Sequence, residues 1–220
     1  MPETPAPLPV DESTRIRREA HRQVTDRAVL DEVLDEALVA HVGVVRDGLP
    51  LVLPFACARD GDSLLLHGST GSGLLRIASG DPLCVTVTHL DGLVFARTTF
   101  DSSMRYRSAV VHGTATVLAG DEKAAALTTL SDHLFPGRTA EVREPTAKEL
   151  AATTVLRVPL DRASAKVAAG PPEIDPDDHE PRSVWAGIVP LAVVAGQPVP
   201  APDVPPGVPV PESVRKARSR

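Results

Sequence analysis

From residue 38 to residue 118 the chain is a succession of short apolar runs with little but turns between them. LVAHVGVV (38–45) meets Arg46-Asp47-Gly48, LPLVLPFACA (49–58) meets Arg59-Asp60-Gly61-Asp62, and SLLLHGS (63–69) follows at once. LCVTVTHL (83–90) alternates apolar and polar residues, Asp91-Gly92 turns it into LVFARTTF (93–100), and YRSAVVHGTATVL (106–118) closes the series. Asp-Gly between apolar runs is a strong hairpin signal. A parallel sheet needs a long crossover, usually a helix, between paired strands. Here only GLLRIAS (73–79), stopped by Gly80-Asp81-Pro82, reads as a helix among the first five strands. The pattern predicts a mainly β fold, a closed or half-closed antiparallel barrel with flanking helices.

Helices are expected at the margins of this block. Val29, Val33, Leu34 and Leu38 keep helical spacing, so 26–37 reads as a helix with Thr25 or Asp26 ahead of it. DEKAAALTTLSDHLF (121–135) reads as a second, capped by Asp121 and ended by Pro136-Gly137, with a shorter one at 146–152 and a pair of extended segments at 153–169. Aromatic residues are only 3% of the chain, so the core must come from Val, Leu and Ala. Cys57 and Cys84 each sit inside an apolar run, as buried strand residues do, and too far apart in pattern for a zinc site. Three regions are expected: a flexible arm at 1–23, one domain at 24–196 that includes WAGIVPL, and a proline-rich tail at 197–220, extended or disordered. The net charge of −6 speaks against a nucleic-acid partner. No apolar run approaches the roughly 18 residues of a membrane span. A cytoplasmic protein with reduced thiols is the expectation.

The chemistry concentrates at His67-Gly68-Ser69-Thr70-Gly71-Ser72-Gly73, where an apolar strand runs into a helix. Backbone N–H groups at a helix start, glycines that allow close approach and hydroxyl donors are what a phosphate cradle needs. The same residues also make an ordinary strand-to-helix turn, and both readings stand on the local sequence. The Gly-Lys-Ser/Thr ending of a P-loop is missing, and so is the dinucleotide glycine spacing. His67 is either a ligand or reaction-site residue or a strand-end histidine bonded to its own turn. His41 and His112 read as structural or exposed strand residues, and His89, His133 and His179 fall in or beside turns. No pair has zinc-site spacing, so no metal is expected. Trp185 either packs beside a cofactor or anchors the C-terminal segment, and EIDPDDHE (173–180) reads as a solvated loop.

Taken together, AVLDEVLDEALVAHVGVVRDGLPLVLPF (28–55), GDSLLLHGS (61–69), DPLCVTVTHLDGLVFAR (81–97), SMRYRSAVVHGTA (103–115), EKAAALTTLSDHLFPGR (122–138), SAKVAAGPP (164–172) and VWAGIVPL (184–191) resemble, in order and spacing, the pyridoxamine 5′-phosphate oxidase-like flavoproteins with an FMN-binding split β-barrel. The branch it is most similar to is the flavin-nucleotide-binding or nitroimidazole-resistance-like one. The resemblance implies an FMN-dependent oxidoreductase acting on a small organic substrate, in a homodimer with the cofactor at the subunit interface. Haem or a deazaflavin are the alternative cofactors it implies, and the alternative roles are a nitroimidazole reductase-like or haem-binding split-barrel protein, or a non-catalytic flavin carrier or sensor. By position it assigns the FMN phosphate to His67, Gly68, Ser69, Ser72 and Gly73, and the ring to Val52, Leu53, Pro54 and Phe55. Tyr106, Arg107 and Ser108 would reach the flavin from the partner subunit. Relatives often carry a basic residue after the serine matching Ser72, where this chain has Gly73, which leaves Arg76 or Arg107 to supply charge. Relatives also often read His-His-Ser-Met-Asn-Tyr-Arg-Ser where this chain reads Asp101-Ser102-Ser103-Met104-Arg105-Tyr106-Arg107-Ser108. No C-terminal motif for the second phosphate of a true pyridoxamine 5′-phosphate oxidase is present.

Overall fold

The structure is a computed structural model that describes residues 6–172 and 181–217. In chain order its elements are β1 (Gln23–Val24), α1 (Arg27–Asp35), β2 (Val39–Arg46), β3 (Leu49–Asp60), β4 (Ser63–Ser69), α2 (Gly73–Ala78), β5 (Pro82–Phe95) and β6 (Ser103–Thr114). There follow β7 (Thr116–Val117), α3 (Gly120–Leu134), α4 (Ala147–Ala151), β8 (Thr153–Pro159), β9 (Ala163–Ala168), β10 (Gly187–Pro190) and α5 (Glu212–Ala217). The fold is mainly β, with few helices, and every strand pair described below is antiparallel. Among the described residues no helix is long and apolar enough to cross a membrane. The chain divides into two compact units, Met1–Ala37 with Cys84–Gly113 and Leu160–Ala192, and Leu38–Leu83 with Thr114–Pro159 and Val193–Arg220.

In the first unit β1, β9, β6 and β5 lie side by side in that order, and β10 pairs with β5. Asp26 caps α1 by accepting the Ala28 N–H at 2.9 Å, and Leu30, Val33 and Leu34 turn inward, as the helical spacing predicts. Asp91-Gly92, expected to be a hairpin turn, lies instead inside the single long strand β5. The reason is β10. Gly92 faces it so closely that an added Cβ would meet the Val189 carbonyl at 3.0 Å, so the glycine serves close approach rather than a turn. The N-terminal arm is anchored at several points, because Leu8 and Thr14 are buried and the Leu8 N–H donates to Thr25.

Arg107 is the electrostatic centre of this unit. Its guanidinium donates to Asp91 at 3.1 Å and to Glu36 at 2.8 Å, with Glu32 at 3.4 Å, which ties α1 to β5 and β6. Asp91 first and Glu36 second hold its pKa above the ordinary arginine value.

In the second unit the strand order is β2, β3, β4, β8, β7. The turn between β2 and β3 uses Asp47 and Gly48 with φ of 53° and 78°, the doubly left-handed turn that suits a hairpin twist. Ala58, Leu65, Leu118, Ala126, Leu130 and Val155 form a core under α3. That helix starts with Ala119 at its cap position and no side-chain cap. Asp121, expected there, lies in the first turn, where the helix dipole still favours it. Cys57 is buried and its thiol is pushed up to about 12. The proline-rich tail runs through turns at 201–208 and then forms α5, whose Ser213 is buried: its N–H and hydroxyl both donate to Glu141, at 3.0 and 2.5 Å. The acidic segment 173–180 and His179 lie outside the described residues.

Candidate functional site

His67 faces α3. Along β4 alternate side chains share a face, so His67 points the same way as Leu65, which belongs to the core under that helix. Past Leu65 the packing opens into a cavity of about 550 Å³, walled by His67, Leu127, Ser131, Val142, Leu150 and Thr153. Nδ1 of His67 is sealed from solvent with no hydrogen-bond partner among the described residues. A buried nitrogen without a partner is uncommon in a folded protein. Burial lowers the His67 pKa, so the imidazole is neutral at physiological pH, the form that ligates a metal.

The rim is built from the loop before α4. Arg143 grips Glu149 through two nitrogens, at 2.6 and 2.8 Å. Thr146 and Glu149 close a capping box, each side chain meeting the other's backbone N–H. Glu141, just upstream, is held by Ser213. Hydrogen bonds from Arg143 and then Thr146 lower the Glu149 pKa to about 2, and those from Ser213 lower that of Glu141. Both carboxyls therefore ionise more readily in the folded chain than in the unfolded one. Their contribution is complete above the ordinary glutamate range and is lost as pH falls through the folded values. Amide exchange at residues 141–149 is expected to stay slow down to about pH 4.5 and to rise, after correction for intrinsic rates, between there and about 2. Unchanged protection across that window would mean that these contacts do not hold the rim.

The cradle lies at the end of the same strand. Much of its donor capacity is spent locally. The Thr70 N–H donates to Ala152, the Gly71 N–H to Ser69 Oγ at 3.1 Å, the Ser72 N–H to Ser69 O, and the Leu75 N–H to Ser72 Oγ at 3.4 Å. The turn is thus preformed and leaves the first N–H groups of α2, beginning at Gly73, pointing outward. Gly68 packs against Leu75 and Phe55, and an added Cβ would come within 2.8 Å of Leu75 Cδ1. Arg76 is exposed on α2. A cation close to the cradle is one the sequence reading passed over. Nη1 of Arg46, at the end of β2, lies 3.9 Å from where a Gly73 Cβ would stand, and no carboxylate among the described residues pairs with it. The packing of α2 against β2 brings it there.

Val52, Leu53 and Pro54 are exposed on β3, and Phe55 is half-buried. Their strand pairs with β2 along its length, Val52 opposite Gly43 and Phe55 opposite Ala40, but with β4 only from Cys57 to Asp60. The far edge of β3 at 52–55 therefore offers backbone groups with no strand partner among the described residues. The structure brings His67, the cradle and this edge together in one unit. Tyr106, Arg107 and Ser108 lie on β6 in the other unit, opposite Ala168, Val167 and Lys166, with Arg107 committed to its carboxylates. Trp185, also in that unit, is 65% exposed and stacks at a tilt on Phe95, ring centres 6.0 Å apart. Among the described residues no group of three or more His, Cys, Asp or Glu could hold a metal ion.

Comparison with known proteins places these features. The family model described as pyridoxamine 5′-phosphate oxidase matches residues 26–167. No curated protein sequence matches the chain. The FAD and haem binding protein from Mycobacterium smegmatis is similar at 47% identity, over 90% of this chain and 97% of that one, with a TM-score of 0.86. The flavocytochrome Anf3 from Azotobacter vinelandii is similar at 34% identity, over 94% and 96%, with a TM-score of 0.88. A Bacteroides thetaiotaomicron protein described as a 5-nitroimidazole antibiotic resistance protein shares the fold, at 24% identity over 66% and 86%, with a TM-score of 0.57. The split-barrel class expected from the sequence is the class of these structures.

Proposed function

The chain belongs to the pyridoxamine 5′-phosphate oxidase family, and on that premise we propose that it is a flavin-binding redox protein that also holds a haem at His67. The observation that carries the reading is the imidazole of His67, its Nδ1 buried and unpartnered among the described residues, in the wall of a cavity with both apolar and polar lining. A neutral imidazole and the apolar side chains of Leu127, Val142 and Leu150 suit one face of a flat apolar macrocycle. Two relatives that match nearly the whole chain are named for flavin with haem or as a flavocytochrome, which supports the same pair of cofactors.

The flavin phosphate belongs at Ser69–Gly73, with Arg46 as a cation close by, and the ring along the open edge of β3 at Val52–Phe55. FMN was the expectation from the sequence. The name of the 47%-identical relative favours FAD, which carries the same ring and first phosphate. When bound, the flavin would supply hydride or one-electron transfer and the haem one-electron chemistry. The chain's own part is to present backbone donors to the phosphate and to offer the His67 imidazole as a ligand. Electron transfer to a small organic acceptor is the proposed activity. Exposed Val52 and Leu53 in one unit, and Leu93, Phe95 and Trp185 in the other, suit burial in a homodimer.

The test is the absorbance spectrum of the purified protein, chromatography of the released flavin, and the same measurements on Ser69→Asp. A carboxylate placed in the cradle is expected to weaken flavin binding by about tenfold or more through like-charge repulsion, and to spare the haem Soret band. Equal flavin affinity in the variant would place the phosphate elsewhere. A protein that takes up haem or a deazaflavin but neither FMN nor FAD would overturn the flavin assignment.

A further inference from the structure

The first unit holds a second and larger cavity, of about 1050 Å³, between the N-terminal segment at 18–22, the start of β6 and the end of β9. We infer that this cavity binds a nucleoside phosphate, its phosphate on Arg18 and Arg105 and its base against Phe100, Met104 and Tyr106.

Charge is the first argument. The chain carries a net −6, yet this wall gathers Arg18, Arg22, Arg105 and Lys166 against only Glu19 and Asp101. Both carboxylates are already engaged. Glu19 takes Arg22 at 3.4 Å and lies 3.7 Å from His21, and Asp101 accepts the Thr98 hydroxyl at 2.6 Å. Neither Arg18 nor Arg105 has a carboxylate partner among the described residues. Arg105 is also held in place: its Nε donates to the Gly170 carbonyl at 2.8 Å, which leaves its terminal nitrogens free as a fork. Lys166 Nζ donates to the Arg18 carbonyl at 3.0 Å and so ties the arm to β9. Two guanidinium groups without a carboxylate partner among the described residues are suited to bidentate recognition of phosphate oxygens.

The apolar side is the second argument. Phe100 is 95% exposed and Met104 50% exposed at the cavity, beside the half-buried Tyr106. Free phosphate has no use for such a platform, and an acyl chain has no use for so many cations. A phosphate joined to a flat heterocycle uses both, since bases stack on aromatic faces. The nucleotide has two sources. It is the adenylate half of a bound flavin dinucleotide, or a separate nucleotide such as the reduced nicotinamide dinucleotide that delivers electrons. Only the choice of source rests on the flavin reading.

The experiment is calorimetric titration of the purified full-length protein, with whatever cofactors it carries, using ADP and then inorganic phosphate as probes. Saturable ADP binding is expected, weakened about tenfold or more in Arg18→Glu, whose side chain is exposed and structurally uncommitted. Phe100→Ala is expected to weaken ADP about tenfold and to leave phosphate binding unchanged. Flavin appearing in the ultrafiltrate as ADP saturates would identify the cavity with the cofactor's own adenylate. Binding without flavin release identifies a separate nucleotide. A protein that proves free of flavin would overturn the cofactor reading and leave the ADP titration intact. The inference is overturned if ADP gives no saturable heat, or binds wild type, Arg18→Glu and Phe100→Ala equally.

Discussion

Replacing His67 with alanine is expected to remove the haem Soret band from the purified protein and to leave the flavin bands in place. The expectation follows from geometry. His67 is the one lining residue of its cavity with a metal-ligating nitrogen, and its neutral form is already favoured by burial. Its Nδ1 has no partner among the described residues, so no backbone carbonyl or carboxylate is lost with the ring. Removal should therefore cost binding and little else. Loss of an outer-shell partner alone typically costs 10- to 100-fold in metal affinity, so losing the ligand itself should cost about 100-fold or more. Free imidazole, small enough for the space vacated, should restore part of the Soret band. A full complement of haem in His67→Ala would refute the assignment, and simultaneous loss of flavin and haem would mean that the strand end had collapsed. The flavin bands thus serve as the internal control.

The second large effect is structural. Leu65→Ala is expected to destabilise the protein by about 2–5 kcal/mol, because a fully buried leucine leaves a cavity that its neighbours fill only in part. In a chain of this size that is roughly 4–20 °C in melting temperature. Leu65 is packed between α3 and the strands, with Ala58, Leu118, Ala126, Leu130 and Val155 around it. Leu49→Ala, at a site 70% exposed, should change stability by no more than about 0.5 kcal/mol. Thermal melts of the two variants side by side check the pair. Equal melting temperatures would mean that the core under α3 does not carry the second unit. Because Leu65 shares a face with His67, the variant should also loosen haem binding, while the cradle at Ser69–Gly73 stays intact.

Much of the fold could be read in the sequence because strand and helix periods differ so plainly here. The runs at 38–45, 49–58 and 63–69 became β2, β3 and β4 with small shifts at their ends, and the helix expected at 73–79 is α2. The failures share a physical cause, which is partners distant in sequence. Asp91-Gly92 has the letters of a turn, but β10, almost a hundred residues on, makes that glycine a point of close approach. Asp121 looked like a cap because the left-handed Gly120 (φ 54°) hides where α3 begins. At the site, the His67 turn stood out through its glycines and hydroxyls. Arg46 did not, since it reaches Gly73 only through the packing of α2 against β2. The cavity rim left one local trace, Thr146-x-x-Glu149, the signature of a capping box. The hold of Ser213 on Glu141 left none.

That hold sets an order of events during synthesis. Glu141 must wait for a residue 72 positions later before the loop that rims the His67 cavity is fastened. At about 5–20 residues per second the wait is roughly 4–14 s. The strands and α3 can assemble in that interval, and the loop before α4 gains its tie to Ser213 only once α5 has been made.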